Sequence, residues 1–200
     1  MKKSDALLSG GMDSSDNLLA AKQESDVVLA LTFDYGQRSA EKEKQVTARL
    51  AAVYQVPHQI LPLPFVGRFG KSWLTDQKKQ IPTGAQVSLD DLRISEETAR
   101  SVWVPNRNGI SLNVAAGFAE SLGADWVVPG FNREEATTFP DNSEDFLKAA
   151  TESLRFSTAN GVQVKCFTTA MDKTGIVGLG EKLKIDWNLI WPCYFSGESW

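Results

Sequence analysis

Ser9-Gly10-Gly11-Met12-Asp13-Ser14-Ser15 stands between a short apolar run, Ala6-Leu7-Leu8, and a helix-like run, Asn17-Leu18-Leu19-Ala20-Ala21. Strand, glycine turn and helix in that order make a loop suited to gripping an anion. Two glycines let the backbone turn with positive φ and let its amides come close to a ligand. Ser14 and Ser15 add hydroxyl donors at the start of the helix. The unpaired amides and the helix dipole there favour negative charge, so phosphate or pyrophosphate is the expected guest. The plainer reading of the same residues is a tight turn with a serine-capped helix. A Walker loop needs Gly-x-x-x-x-Gly-Lys-Ser/Thr. Gly67-Arg68-Phe69-Gly70-Lys71-Ser72 falls short of that pattern, with Phe65 where the first glycine belongs, and reads as ordinary loop.

The chain has 200 residues, of which 42% are hydrophobic and 23% charged, enough for one domain with its own core. A net charge of -4 argues against a broad nucleic-acid surface. No apolar stretch is long enough for a membrane span. Met1-Lys2-Lys3-Ser4-Asp5 runs straight into the glycine loop and does not fit a signal peptide. Two cysteines, Cys166 and Cys193, make no disulfide framework. A cytoplasmic protein without nucleic-acid or membrane partners is the expectation.

Outward from the loop, apolar runs alternate with helical patterns. Residues 3–8 read as a strand, 13–23 as a helix and 27–33 as a second strand, apolar throughout as in a sheet covered on both faces. Glu41 to Tyr54 reads as an amphipathic helix with Val46, Leu50 and Val53 on one stripe, and His58 to Leu63 as a third strand. Residues 64–100 show no period and are expected to form a mobile insertion, with 71–95 as lid or disorder. Beyond it come a helix at 110–122, a strand at 125–129, a loop at 130–135, a helix at 143–158, a strand at 163–167 and a helix at 172–184. The last carries Gly175, Gly178 and Gly180, each costing about 1 kcal/mol relative to alanine. This alternation predicts an α/β fold: a doubly wound, parallel, five-stranded sheet of order 3-2-1-4-5 with helices on both faces. Its switch point would lie between strands one and four, where Ser9–Ser15 meets Gly130–Glu135.

The string Ser-Gly-Gly-x-Asp-Ser-Ser resembles the pyrophosphate loop of the N-type ATP pyrophosphatases, the PP-loop proteins that split ATP into AMP and pyrophosphate. Five further segments follow in order: Thr32-Phe33-Asp34-Tyr35-Gly36-Gln37-Arg38, Val104-Pro105-Asn106-Arg107-Asn108, Gly130-Phe131-Asn132, Phe139-Pro140-Asp141 and Trp191-Pro192-Cys193-Tyr194. As a set they resemble the QueC family of 7-cyano-7-deazaguanine synthases over nearly the whole chain. That resemblance implies an adenine nucleotide alpha hydrolase-like fold over residues 1–190. It also implies a reaction in which 7-carboxy-7-deazaguanine is adenylated by ATP, amidated by ammonia and dehydrated with a second ATP to the nitrile.

The same resemblance implies roles for particular residues. Leu8, Ser9, Gly10, Gly11, Met12, Asp13, Ser14 and Ser15 would hold the ATP phosphates, with Phe33 beside the adenine and Arg107 reaching the phosphates. Asp13, Ser14 and Lys173 would serve the chemistry, Asp13 orienting the loop or holding Mg²⁺ through water. Gly130, Asn132, Arg133, Phe139 and Asp141 would form the deazapurine site. There Phe139 would give a stacking face, Asp141 would accept the two adjacent N–H groups of a guanine-like edge, and Arg133 would neutralise the carboxylate.

Each role has a plainer rival. These are a helix-start carboxylate for Asp13, a strand-ending turn at Phe33, a surface ion pair for Arg107, a solvated Lys173 and a helix cap for Asp141. Glu134 and Glu135 read as surface residues and His58 as structural. The family holds Zn²⁺ on four cysteines. Cys193 matches the first, and residues 191–200 would be the start of a truncated zinc-binding segment, so a full-length form is expected to carry zinc. One thiolate alone cannot make such a site. A homodimer is compatible with the resemblance. Two other readings remain open at this stage: another PP-loop enzyme, tRNA-modifying or an amidotransferase synthetase, and a non-catalytic nucleotide-binding module.

Overall fold

Five parallel strands lie in the order β3-β2-β1-β4-β5 in the computed structural model, which describes residues 1–70, 72–75 and 101–191. The strands are β1 (Lys2–Leu7), β2 (Ser25–Asp34), β3 (His58–Pro62), β4 (Trp126–Val128) and β5 (Gln163–Val164). Among the described residues the helices are α1 (Met12–Glu24), α2 (Ala40–Val53), α3 (Arg107–Ser121), α4 (Arg133–Thr138), α5 (Glu144–Ser157) and α6 (Lys173–Leu183). The doubly wound arrangement expected from the alternating pattern is therefore the one found. Strand β1 is central, pairing with β2 on one side and β4 on the other.

The sheet separates two cores. On one face, Ala6, Leu8, Ala30 and Val128 meet Leu18 and Ala21 of α1 and Val46 and Leu50 of α2. On the other, Leu29, Leu31 and Val127 meet Leu112, Ala115, Ala116 and Ala119 of α3 and Leu147 and Leu154 of α5. Each fully buried leucine contributes roughly 1.5–3 kcal/mol by leaving water. A register shift in the β1–β2 ladder between Ser4 and Asp5 puts Val28 and Leu29 on the same side, interrupting the simple alternation. No described helix is long and apolar enough to cross a membrane.

The structure departs from the sequence reading in several places. Val53 is 55% exposed, so the buried stripe of α2 is Val46 and Leu50. Helix α3 starts at Arg107 rather than 110, behind Asn106, which holds a left-handed φ of 54°. An asparagine tolerates that conformation, and periodicity does not report it. Helix α4, Arg133–Thr138, begins inside the stretch 130–135 read as loop, because the side chain of Asn132 accepts from the Glu135 amide and caps it. Strand β5 ends at Val164, short of 167. The described part of the 64–100 stretch is packed, with Leu63, Val66, Leu74 and Val104 forming a third small core. Residues 76–100 and 192–200, including Cys193 and most of the expected lid, lie outside the described residues.

Candidate active site

The Ser9–Ser15 loop begins where β1 ends, and its shape is set by packing from three directions. Gly10 has φ +84°, and a Cβ there would lie 2.7 Å from Cγ1 of Val46 on α2. Only glycine fits both constraints. Gly11 is the N-cap of α1 and no side chain caps the helix, so the amides of Met12, Asp13 and Ser14 have no intrahelical acceptor. From the far side, a Cβ on Gly130 would lie 2.5 Å from the Ser14 amide nitrogen, so the loop after β4 seats directly against the start of α1. From below, the Trp191 amide donates to the Gly10 carbonyl at 2.8 Å.

Hydroxyls finish the loop. Ser14 Oγ accepts from the Ser9 amide at 3.2 Å, lies 3.0 Å from Ser9 Oγ and donates to the Gly11 carbonyl. Ser15 Oγ also donates to the Gly11 carbonyl, at 2.8 Å, and Ser15 is 1% exposed. Ser15 and Gly10 thus shape the loop from behind, whereas Ser9, Gly11, Met12, Asp13 and Ser14 face a cleft of about 480 Å³. Leu8, Phe33, Arg107, Gly130 and Lys173 line the same cleft. Arg107 comes from the first turn of α3 and reaches Tyr35, its Nη1 lying 3.3 Å from the phenol oxygen.

Lys173 is the first residue of α6, whose N-cap Asp172 accepts from the Gly175 amide at 2.8 Å. Its Nζ lies 2.7 Å from Asp13 Oδ2 and 3.5 Å from Glu135 Oε1. Burial pulls the Lys173 ammonium down, but the hydrogen bond and charge of Asp13, with Glu135 behind them, outweigh it and hold the group above the ordinary lysine range. The other Asp13 oxygen, Oδ1, is buried without a hydrogen-bond partner. One turn on, Asp16 is fully buried with both carboxylate oxygens unpartnered. Burial, and then the charge of Asp13, push its carboxyl up to about 7.

The loops after β4 and β5 are tied together. The Arg133 amide donates to the Met171 carbonyl at 3.0 Å, and the Lys173 amide to Glu134 Oε1 at 3.0 Å. Glu134 is a surface residue as its sequence suggests, whereas Glu135 is part of the cleft wall.

The residues expected to hold the deazapurine divide into two groups. Gly130 is in the wall, whereas Asn132 is fully buried as the cap of α4. Arg133 is surface-exposed in an ion pair with Asp172 at 2.8 Å and does not line the cleft. Phe139 stacks on Trp103, with ring centroids 5.9 Å apart and planes inclined by 11°. Burial raises the Asp141 carboxyl, with Arg107 opposing it, and Asn142 Nδ2 donates to Asp141 Oδ1 at 3.1 Å. Ser143, not Asp141, caps α5. Phe139 and Asp141 stand just outside the cleft, next to its wall residue Asn142.

Sequence reasoning missed Glu43, Asn108, Ser111, Asn142 and Trp191 as wall residues. Asn108, Asn142 and Trp191 lie in or beside quoted segments and could have been found there, but Glu43 and Ser111 carried no local signal. His58 is structural as expected, its Nε2 lying 2.8 Å from Thr32 Oγ1. Cys166 is half-buried, its thiol donating to the Phe131 carbonyl at 3.4 Å. Among the described residues no three His, Cys, Asp or Glu side chains come together as a metal site.

A parallel sheet of order 3-2-1-4-5, with a Ser-Gly-Gly loop opening α1 at its switch point, defines a nucleotide-binding protein of the PP-loop type. The profile described as "Queuosine biosynthesis protein QueC" matches residues 3–200, and the chain belongs to that family. The 7-cyano-7-deazaguanine synthase of Bdellovibrio bacteriovorus is 54% identical over 200 residues, covering 100% of this chain and 87% of that one. The protein of the same name from Pelotomaculum thermopropionicum is 46% identical over 197 residues, covering 98% and 89%. Among solved structures, NMN synthetase from Francisella tularensis shares the fold, with a TM-score of 0.52, 13% identity and coverage of 99% of this chain and 69% of that one.

Proposed function

We propose that this protein is an ATP-dependent ligase that converts 7-carboxy-7-deazaguanine and ammonia into 7-cyano-7-deazaguanine, a step in queuosine precursor biosynthesis, releasing AMP and pyrophosphate. The observation that carries this is the preformed anion loop of Ser9–Ser14 facing the same cleft as Lys173 and Arg107, in a chain whose relatives bear that synthase name.

In this reading the β- and γ-phosphates of ATP rest on the Met12, Asp13 and Ser14 amides, and the adenosine extends towards Phe33. A carboxylate oxygen of the substrate attacks the α-phosphorus, and the bond to pyrophosphate breaks. Charge grows on the departing pyrophosphate, where fixed amides, the Ser14 hydroxyl and Lys173 stabilise it. One such donor is commonly worth 10²–10³ in rate. Ammonia then attacks the acyl carbon, AMP leaves and a proton is lost. The amide oxygen attacks the α-phosphorus of a second ATP and displaces pyrophosphate, and expulsion of AMP with loss of both N–H protons leaves the nitrile.

Asp13 suits Mg²⁺, since its Oδ1 is buried and unpartnered beside the loop. When bound, Mg²⁺ would neutralise charge on the phosphate oxygens. Asp141 and the Phe139–Trp103 stack, beside the mouth, suit the donor edge and the face of the deazapurine ring. The zinc expectation rests on Cys193, which lies outside the described residues. The need for ATP as co-substrate supports a cytoplasmic location.

The test is direct. Purified protein with ATP, Mg²⁺, ammonium and the carboxy-deazaguanine should yield two AMP and two pyrophosphate for each nitrile, followed by mass spectrometry. AMP release without the deazapurine, or none with it, would overturn the reading.

A further inference from the structure

A third carboxylate lines the cleft besides Asp13 and Glu135, which both pair with Lys173. Glu43 projects into it from the first turn of α2. Its carboxylate is held from behind by two buried, uncharged side chains. Ser39 Oγ donates to Oε1 and Gln37 Nε2 to Oε2 at 2.8 Å. Gln37 also donates to the Phe33 carbonyl at 3.0 Å and accepts from the Tyr35 amide at 2.9 Å, so Glu43 is fixed relative to the end of β2. Burial, the largest influence, raises the Glu43 carboxyl, and the bonds from Ser39 and Gln37 work against that rise.

The charge of Arg107 also lowers this carboxyl, but a carboxylate repels phosphate, so its tie through Gln37 to Phe33 suits it to the base of a nucleotide. Each of its oxygens keeps a lone pair beyond the one already used. Leu31 and Phe33 line the same cleft, and the bond from Gln37 to the Phe33 carbonyl ties the carboxylate to that apolar, aromatic wall, which suits the flat face of a base better than a ribose. Building on ATP as co-substrate, we propose that Glu43 reads the adenine, accepting a hydrogen bond from its exocyclic 6-amino group and rejecting purines that carry a carbonyl there. A carbonyl oxygen facing a carboxylate leaves two acceptors opposed with no proton between them, which is how such sites discriminate.

The experiment measures binding alone, by calorimetric titration of ATP, ITP and 3′-deoxyATP without the deazapurine or ammonium. The wild type should bind ATP at least tenfold more tightly than ITP. Glu43→Gln keeps the shape but turns an N–H towards position 6, so the ATP:ITP ratio should fall at least tenfold, with ITP tightening. Glu43→Ala should lose the discrimination without that gain, and circular dichroism checks that both variants are folded. Equal weakening of ATP and ITP would make Glu43 a brace for the turn and overturn the proposal. So would loss of discrimination against 3′-deoxyATP with the ATP:ITP ratio intact, which would make it a ribose contact. These two results would leave the proposed ligase standing, whereas a wild type that binds neither triphosphate would remove both.

Discussion

Gly130→Ala puts the seating of the anion loop to a quantitative test. The added Cβ would fall 2.5 Å from the Ser14 nitrogen, 2.6 Å from its Cα and 2.8 Å from the Asp13 carbonyl carbon, all backbone. Ordinary contact begins near 3.4 Å, so one side must yield by about 0.9 Å. The Ser14 end yields by sliding the first turn of α1 away from the phosphates. A displacement of that size at a positioning element costs on the order of 100-fold in rate, equivalent to about 2.7 kcal/mol of transition-state stabilisation. The assay is pyrophosphate release at saturating deazapurine and ammonium, with the melting temperature measured alongside. Gly117→Ala is the control. It lies within α3, nothing is within 4 Å of its added Cβ, and the change should stabilise by about 0.5–1 kcal/mol with turnover unaltered. A Gly130→Ala enzyme within threefold of wild type would refute the close seating of the β4 loop on α1.

Asp5 gives a pH-dependent prediction. It is fully buried in the central strand between Leu29 and Val127, both oxygens lack partners, and burial pushes its carboxyl up to about 8 from 3.8. The folded state therefore holds a proton that the unfolded chain releases. The associated stability is complete below the unfolded value of 3.8 and is lost as pH rises through about 8. At pH 7 the loss has an upper limit of about 4 kcal/mol, and we expect Asp5→Leu to recover about 2 kcal/mol, or roughly 4–8 °C in melting temperature. That gain should shrink towards pH 4, and an equal gain at both ends would mean titration is not its cause. Lys173→Ala should lower the rate of pyrophosphate release by on the order of 10²–10³-fold. Asp13→Ala combined with it should cost less than the sum of the two changes, because the side chains are in direct contact at 2.7 Å. Additive losses in that double-mutant cycle would separate their roles.

How far the sequence carried the reading depended on whether a signal was local. Strand order followed from alternating apolar runs, and the Ser9–Ser15 loop announced itself because its glycines and hydroxyls are contiguous. Residues whose partners are remote were harder. Glu135 looked like a solvated acid until the turn at α6 brought Lys173 to within 3.5 Å. Arg133 looked like a carboxylate binder, but Asp172, 39 positions away, pairs with it. Val53 satisfied the periodicity of α2 and is nonetheless exposed, because burial ends where the sheet does. Glu43 belongs to a helix whose charged face looked uniformly solvated, and only the knot with Gln37 and Ser39 turns it inward.

The amide of Trp191 reaches back to the Gly10 carbonyl, across nearly the whole polypeptide. Lys173 and Gly130 are also late arrivals that complete an early loop. During synthesis on the ribosome, the segment that should catch phosphate emerges well before the parts that shape it. The nascent chain would therefore gain tight nucleotide affinity only once Trp191 has emerged.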